Sequence, residues 1–205
     1  MNNQSTFMEG FNIGSILSFG NYNWRVLDTQ NKTALIITEQ VIERRSYHDI
    51  NEDTTWAKCN LRKYLNGDFF NRFNATDKSK IVPVTNKNDD NQWYNGKGCE
   101  DTKDTIFLLS IEEVVCRYFG DSSVILRNPG NQKYKYWFNK KDENNCKRLT
   151  NGSWWLRSPG RTNRMAAYIH GLASNQLDSS GGCVGINGNG INQLGGVRPA
   201  LWLMQ

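Results

Sequence analysis

Trp154-Trp155-Leu156-Arg157-Ser158-Pro159-Gly160 opens the last third of this chain, and Gly196-Val197-Arg198-Pro199-Ala200-Leu201-Trp202-Leu203 closes it. Between these two Trp-bearing segments lies a stretch dominated by Gly, Asn, Ser and short apolar residues. Rigid ends around a small, polar, adaptable middle predict a scaffold that presents a surface, not a catalytic cleft. On a strand, neighbouring side chains point to opposite faces, so Trp154 and Trp155 separate, and the heavy average burial of Trp places both in the core. Ser158-Pro159-Gly160 reads as a turn, because Pro presets one dihedral and Gly takes the next. Arg157 and Arg198 fall near strand ends, where internal pairing with a carboxylate or with carbonyls is expected.

Working outward, Ile13 to Phe19, Trp24 to Asp28 and Ala34 to Thr38 read as three short strands of a meander. Gly20-Asn21 and Gln30-Asn31 supply the turn chemistry between them. Residues 41–54 read as irregular. Trp56, Leu61, Tyr64, Leu65, Phe69 and Phe73 recur at helical intervals, with Asp53, Thr54 or Thr55 as cap and Asn66-Gly67 as the end. Ile81 to Thr85 and Thr105 to Leu109 read as strands separated by a polar loop, 86–103. Ser110-Ile111-Glu112-Glu113 is a capping-box sequence, and its helix is expected to run to Phe119. The first eleven residues read as a tail and 12–205 as one domain.

Five cysteines (Cys59, Cys99, Cys116, Cys146 and Cys183) show no metal-ligand spacing, and their number is odd. A zinc site and a disulfide framework are both disfavoured, and reduced thiols in a cytosolic protein are the expectation. Met1 to Gly10 does not read as a signal peptide, and no apolar run approaches the length of a membrane helix. The formal charge of +5 is diffuse, without the stripe that specific nucleic-acid binding needs. The two histidines, His48 and His170, sit in no catalytic motif. After Glu143 the only acidic residue is Asp178, so a carboxylate pair or calcium cage built from the last third alone is excluded. No cofactor and no metal are expected, and an enzyme is not.

Five segments together carry a resemblance: Trp24-Arg25-Val26-Leu27-Asp28, Leu61-Arg62-Lys63-Tyr64-Leu65-Asn66, Ile106-Phe107-Leu108-Leu109-Ser110, and the two Trp-bearing motifs. In order and spacing the chain resembles a bacterial domain family of unknown function. The closing motifs also resemble the C-type-lectin-like fold shared by formylglycine-generating enzymes and by the variable proteins of diversity-generating retroelements. That resemblance implies an α+β domain with short antiparallel strands, two helices (about 56–66 and 110–119) and long irregular loops. It places the strand near Ile13 to Phe19 close to the one near Val197 to Leu203.

Retroelement diversification acts on adenines. An Asn codon ending in a pyrimidine cannot become Lys, Glu, Gln, Met or Trp. From Ala166 to Asn192 only Gln176 breaks that rule, although Lys and Glu are common in ordinary domains. A Gly/Asn/Ser-rich loop system that avoids long charged side chains is the other reading of the same stretch, and composition leaves both open. Formylglycine-generating enzymes imply a closely spaced cysteine pair, which Cys146 and Cys183 do not form, and the calcium triplets of sugar-binding lectins are missing.

The expected function is therefore non-enzymatic binding of a protein or cell-surface ligand, as the diversified target of a retroelement. An enzyme of formylglycine-generating type and a phage or structural component are the alternatives. The cytoplasm is the expected location, with a phage particle as the other. The expected contact surface spans about 161–192, with Asn163, Arg164, Tyr168, His170, Ser174, Asn175, Asp178, Asn187, Asn189 and Asn192 as its exposed side chains. Trp154 or Trp155 and Arg198 are expected to lie beneath as support.

Overall fold

A computed structural model describes residues 11–119, 145–171 and 181–204. The N-terminal meander forms as the turn residues dictate. β1 (Ile16–Phe19) and β2 (Tyr22–Gln30) are joined through Gly20 and Asn21, and β2 and β3 (Thr33–Thr38) through Asn31 and Lys32. All four turn residues have positive φ, between 46° and 67°, the two-residue geometry whose twist matches that of paired strands. Gly20 is required twice over, since a Cβ there would lie 2.1 Å from the Phe73 ring. β3 then pairs with the closing motif, β12 (Ala200–Met204), and β12 with β5 (Ile81–Val82). The first sheet has the order β1-β2-β3-β12-β5. β1 and β12 thus share a sheet but are not neighbours, because β2 and β3 lie between them.

The second sheet holds the Trp-Trp motif at its centre. Its order is β10-β9-β8-β11-β4, with β4 (Glu43–Ser46), β8 (Trp154–Pro159), β9 (Met165–Ile169), β10 (Val184–Gly190) and β11 (Leu194–Val197). A hairpin of β6 (Val84–Asn88) and β7 (Cys99–Asp104) makes the third. Helix is confined to short pieces: α1 (Asn60–Tyr64), a π turn (Leu65–Phe69), a 3-10 turn (Phe70–Arg72), α2 (Ala75–Lys80), a π turn (Glu113–Arg117) and α3 (Asn145–Arg148). None of the helical pieces among the described residues is long and apolar enough to cross a membrane.

The expected α+β, C-type-lectin-like fold is corrected by this architecture: the described residues form a mostly-β domain of twelve strands in three sheets. Two physical reasons account for the difference. The helical periodicity at 56–73 correctly marks a buried face, with Trp56, Leu61, Leu65 and Phe69 each at most 2% exposed. The chain nevertheless changes winding at Leu65, so no long helix forms. In addition, β4, β6 and β7 are strands whose residues are largely polar, so periodicity within the segment gives no signal and only cross-strand pairing defines them. The helix start also differs: Cys59 is the cap, its sulfur accepting from Arg62 N at 3.4 Å. Leu108 and Leu109 are buried without strand pairing, and Phe107 alone bridges to Ala200.

Polar knots tie these pieces together. The buried Asp104 carboxylate accepts from Trp56 Nε1 (3.0 Å), Arg62 Nε (2.6 Å), Asn86 Nδ2 (3.0 Å) and Thr102 Oγ1 (2.8 Å). Four donors from three segments satisfy a charge that would otherwise be prohibitive to bury. The capping box forms as read: Glu113 N donates to Ser110 Oγ (3.2 Å) and Ser110 N to Glu113 Oε2 (2.8 Å). Arg157 forms an ion pair with the same Glu113 carboxylate and donates to Leu108 O at 2.9 Å.

Candidate functional site: an aromatic groove on the second sheet

The alternation of β8 separates the two tryptophans as expected, and both are buried, at 0% and 1% exposure. Trp154 faces Phe119 and Arg198. Trp155 faces the other way, where its indole donates to Arg45 O at 2.9 Å and meets Tyr47 and Tyr168 edge-on at 6.0 and 6.4 Å. Glycine makes this possible. A Cβ at Gly195 of β11 would lie 2.3 Å from the Trp155 ring, and one at Gly185 of β10 2.5 Å from the Tyr168 ring. Each aromatic lies down over a strand that has no side chain there.

Tyr168 pairs in register with Trp155 on one side and Gly185 on the other. The His170 ring sits 4.6 Å from the Tyr168 ring. These three rings border a groove of about 640 Å³ that Asn189, Leu194, the segment 41–44 and the segment 151–153 complete. Burial raises the Tyr168 pKa, so the phenol stays neutral at physiological pH. Half-buried aromatics with small polar neighbours supply large, rigid contact area at low entropic cost.

Opposite Ala167 the strands on both sides bulge. β8 places Leu156, Arg157 and Ser158 where β9 has one residue, and β10 does the same with Ile186, Asn187 and Gly188. Bulges free backbone groups from the ladder. Here Asn91 collects them, its Nδ2 donating to Pro159 O (2.9 Å) and Ile186 O (2.7 Å) while its Oδ1 accepts from Trp93 N and Tyr94 N. One side chain from the β6–β7 loop thus fixes both flanks of β9.

The expected surface residues divide into groups. Tyr168, His170 and Asn189 come together in the groove. Asn163 is a tie between loops, its amide donating to Lys97 O (2.8 Å) and Thr54 O (3.3 Å) and accepting from Lys97 N (2.9 Å). Arg164 is exposed and pairs with Asp53 at 3.1 Å. Asn187 is half-buried in the β10 bulge, and Asn192 is exposed in the turn between β10 and β11. Ser174, Asn175 and Asp178 lie outside the described residues. Trp155 supports the groove, whereas Arg198 lies on the far side of Trp154. Sequence reasoning missed the walls supplied by Val41–Arg44, which reaches the groove through the pairing of β4 with β11, and by Asn151–Ser153, which leads into β8.

The other chemistry among the described residues is structural. Burial pushes the Cys59 thiol up to about 12, which leaves it protonated and unreactive. Cys183 is buried. His48 lies 3.3 Å from Glu52 and accepts from Asn60 N. No group of His, Cys, Asp and Glu among the described residues is arranged to hold a metal ion.

Fold and site together define a mostly-β, multi-sheet domain with an aromatic-lined surface groove. The chain belongs to the family described as a domain of unknown function, DUF6273, whose model matches residues 31–205. β1 and β2 both precede that span, and β2 pairs onto it through β3. No curated protein and no solved structure matches this chain. The expectation of a family of unknown function therefore holds, while the C-type-lectin-like assignment has no structural neighbour to rest on.

Proposed function

We propose that this chain is a ligand-binding protein and not an enzyme. In this reading a protein or cell-surface ligand is held in the groove by Tyr168, His170 and Asn189, over the Trp155 floor. The observation that carries the proposal is the paired Tyr168 and His170 rings at 4.6 Å beside a groove of about 640 Å³. Aromatic anchors in such concave places dominate binding energy in most interfaces. The test is a screen of the purified protein against arrays of proteins and cell-surface polysaccharides, with a Tyr168→Ala/Asn189→Ala variant beside it. Hits lost in the variant, at unchanged unfolding midpoint, support this placement; hits retained at full strength overturn it. A Cys146→Ala/Cys183→Ala variant separates the enzyme alternative, since an oxidase of formylglycine-generating type loses all activity and a binder keeps its partner.

The composition of 166–192 favours a second, narrower reading, that the surface is diversified by a retroelement. Its burial pattern sharpens the test. Ala166, Ala167, Ile169 and Ile191 are fully buried, whereas Tyr168, His170, Asn187, Asn189 and Asn192 are half-buried or exposed. A near-copy of the coding end beside a reverse transcriptase gene is expected, with adenine differences concentrated in the codons of the second set. If no such copy exists, or if differences fall equally on the buried set, this narrower reading is wrong.

A further inference from the structure

On the side of Trp154 away from the groove, Arg198 is buried to 2% exposure. Its Nε donates to Thr38 O at 2.8 Å and its Nη2 to Glu39 O at 3.3 Å, while Nη1 has no hydrogen-bond partner among the described residues. The guanidinium carbon lies 4.9 Å from the Trp154 ring centre and 5.6 Å from that of Phe119. Among the described residues no carboxylate pairs with it. The nearest candidate, Glu39, is held by Arg25 through two bonds, Nε to Oε2 at 2.8 Å and Nη2 to Oε1 at 2.5 Å. A buried charge without a counter-charge is costly. Burial lowers the Arg198 pKa, but only to about 10, so the group stays cationic at neutral pH.

Arg198 also forms part of the wall of a cavity of about 560 Å³, together with Val26, Leu27, Phe119, Leu149 and the exposed Lys147. Among the described residues the wall carries three cations, Arg25, Lys147 and Arg198, against the single carboxylate of Glu39. Low-dielectric walls focus the field of such an imbalance into the cavity. We propose that this cavity is a second binding site, distinct from the groove, for a small amphiphilic carboxylate. Its head group is the missing counter-ion of Arg198 and contacts Lys147, and its tail lies against Val26, Leu27 and Phe119. A singly charged head suits the site, because a phosphate dianion requires more donors than one ammonium and one guanidinium edge supply.

The test titrates the full chain calorimetrically with three probes: octanoate, octylamine (the same tail with the opposite charge) and acetate (the head without the tail). Saturable octanoate binding is expected, at least about tenfold tighter than either control. Lys147→Glu, an exposed change, is expected to weaken octanoate by about tenfold or more, and Arg198→Met to abolish it. If Arg198→Met fails to fold, Lys147→Glu alone decides. Equal binding of octylamine, an unchanged affinity in Lys147→Glu, or no saturable octanoate binding overturns the proposal. None of these outcomes bears on the groove, whose residues form no part of this cavity.

Discussion

Arg157, in the β8 bulge, and Arg198, in the β11–β12 turn, belong to the two Trp-bearing motifs and are almost equally buried, yet their surroundings differ. Arg157 faces Glu113 with two ion-pair bonds and donates to Leu108 O and Lys87 O as well. Arg198 has carbonyls and aromatic faces, but no carboxylate among the described residues. The difference follows from what each strand end meets. The β8 bulge pushes Arg157 toward the capped turn that begins at Ser110, where a carboxylate already serves the cap. The β11–β12 turn leaves Arg198 beside the end of β3, where the Glu39 carboxylate is engaged by Arg25. One buried cation is closed off by its environment, and the other is left facing a cavity.

The contrast breaks most visibly at the paired site. Arg157→Met leaves Glu113 buried without its counter-charge and is expected to cost about 3–5 kcal/mol, read by urea denaturation. Trp155→Ala, which empties the groove floor, is expected to cost a similar amount, about 3–5 kcal/mol. A loss below 1 kcal/mol in either variant means the packing described here is wrong.

Acid titration sharpens the same contrast. Burial pushes the Glu113 carboxyl upward, but the Arg157 charge and hydrogen bonds, with the Ser110 N–H, outweigh it, and the net pKa is below the ordinary 4.5. The resulting stability is fully present above the unfolded value and is lost as pH falls through the lower folded one. Wild type is expected to lose up to about 1.4 kcal/mol per pH unit from this group below pH 4.5. Glu113→Gln is expected to lack that component, so an identical acid slope in both proteins contradicts the pair. Arg198→Met, by comparison, removes an uncompensated charge at similar length and is expected to change stability by no more than about 1 kcal/mol. A loss as large as that of Arg157→Met erases the distinction. The smallest effects belong to the exposed Arg164→Ala and Asn192→Ala, within about 0.5 kcal/mol by thermal unfolding.

Local chemistry was legible in the sequence, and pairing between distant segments was not. Ser110 and Glu113 act within four residues, and the capping box formed as written. The Gly20-Asn21 turn, the split of Trp154 from Trp155 and the internal use of both arginines were likewise read correctly, while the second turn of the meander falls one residue later than read, at Asn31-Lys32. β4, with Glu43-Arg44-Arg45-Ser46, carries no apolar alternation and exists because β11 pairs with it. The β6–β7 hairpin hid in what read as a loop for the same reason, and with those strands uncounted the domain looked like α+β. In the expected surface, Tyr168, His170 and Asn189 converge, but Asn163 is tied to Thr54 and Lys97, partners more than 60 residues away in sequence. No feature of its own neighbourhood announces that.

The paired bulges beside β9 carry a consequence for how this chain tolerates change. A strand that slips by one residue turns its outward side chains inward. Here Asn91 ties together the strands on both sides of β9, through Pro159 O and Ile186 O, and Asn91 itself lies far outside the 161–192 stretch. Alignment of β9 is therefore held by main-chain carbonyls and a residue encoded elsewhere, not by the identities of Tyr168, His170 or Asn189. Changes at those positions are expected to leave the Asn91 ties to β8 and β10 in place.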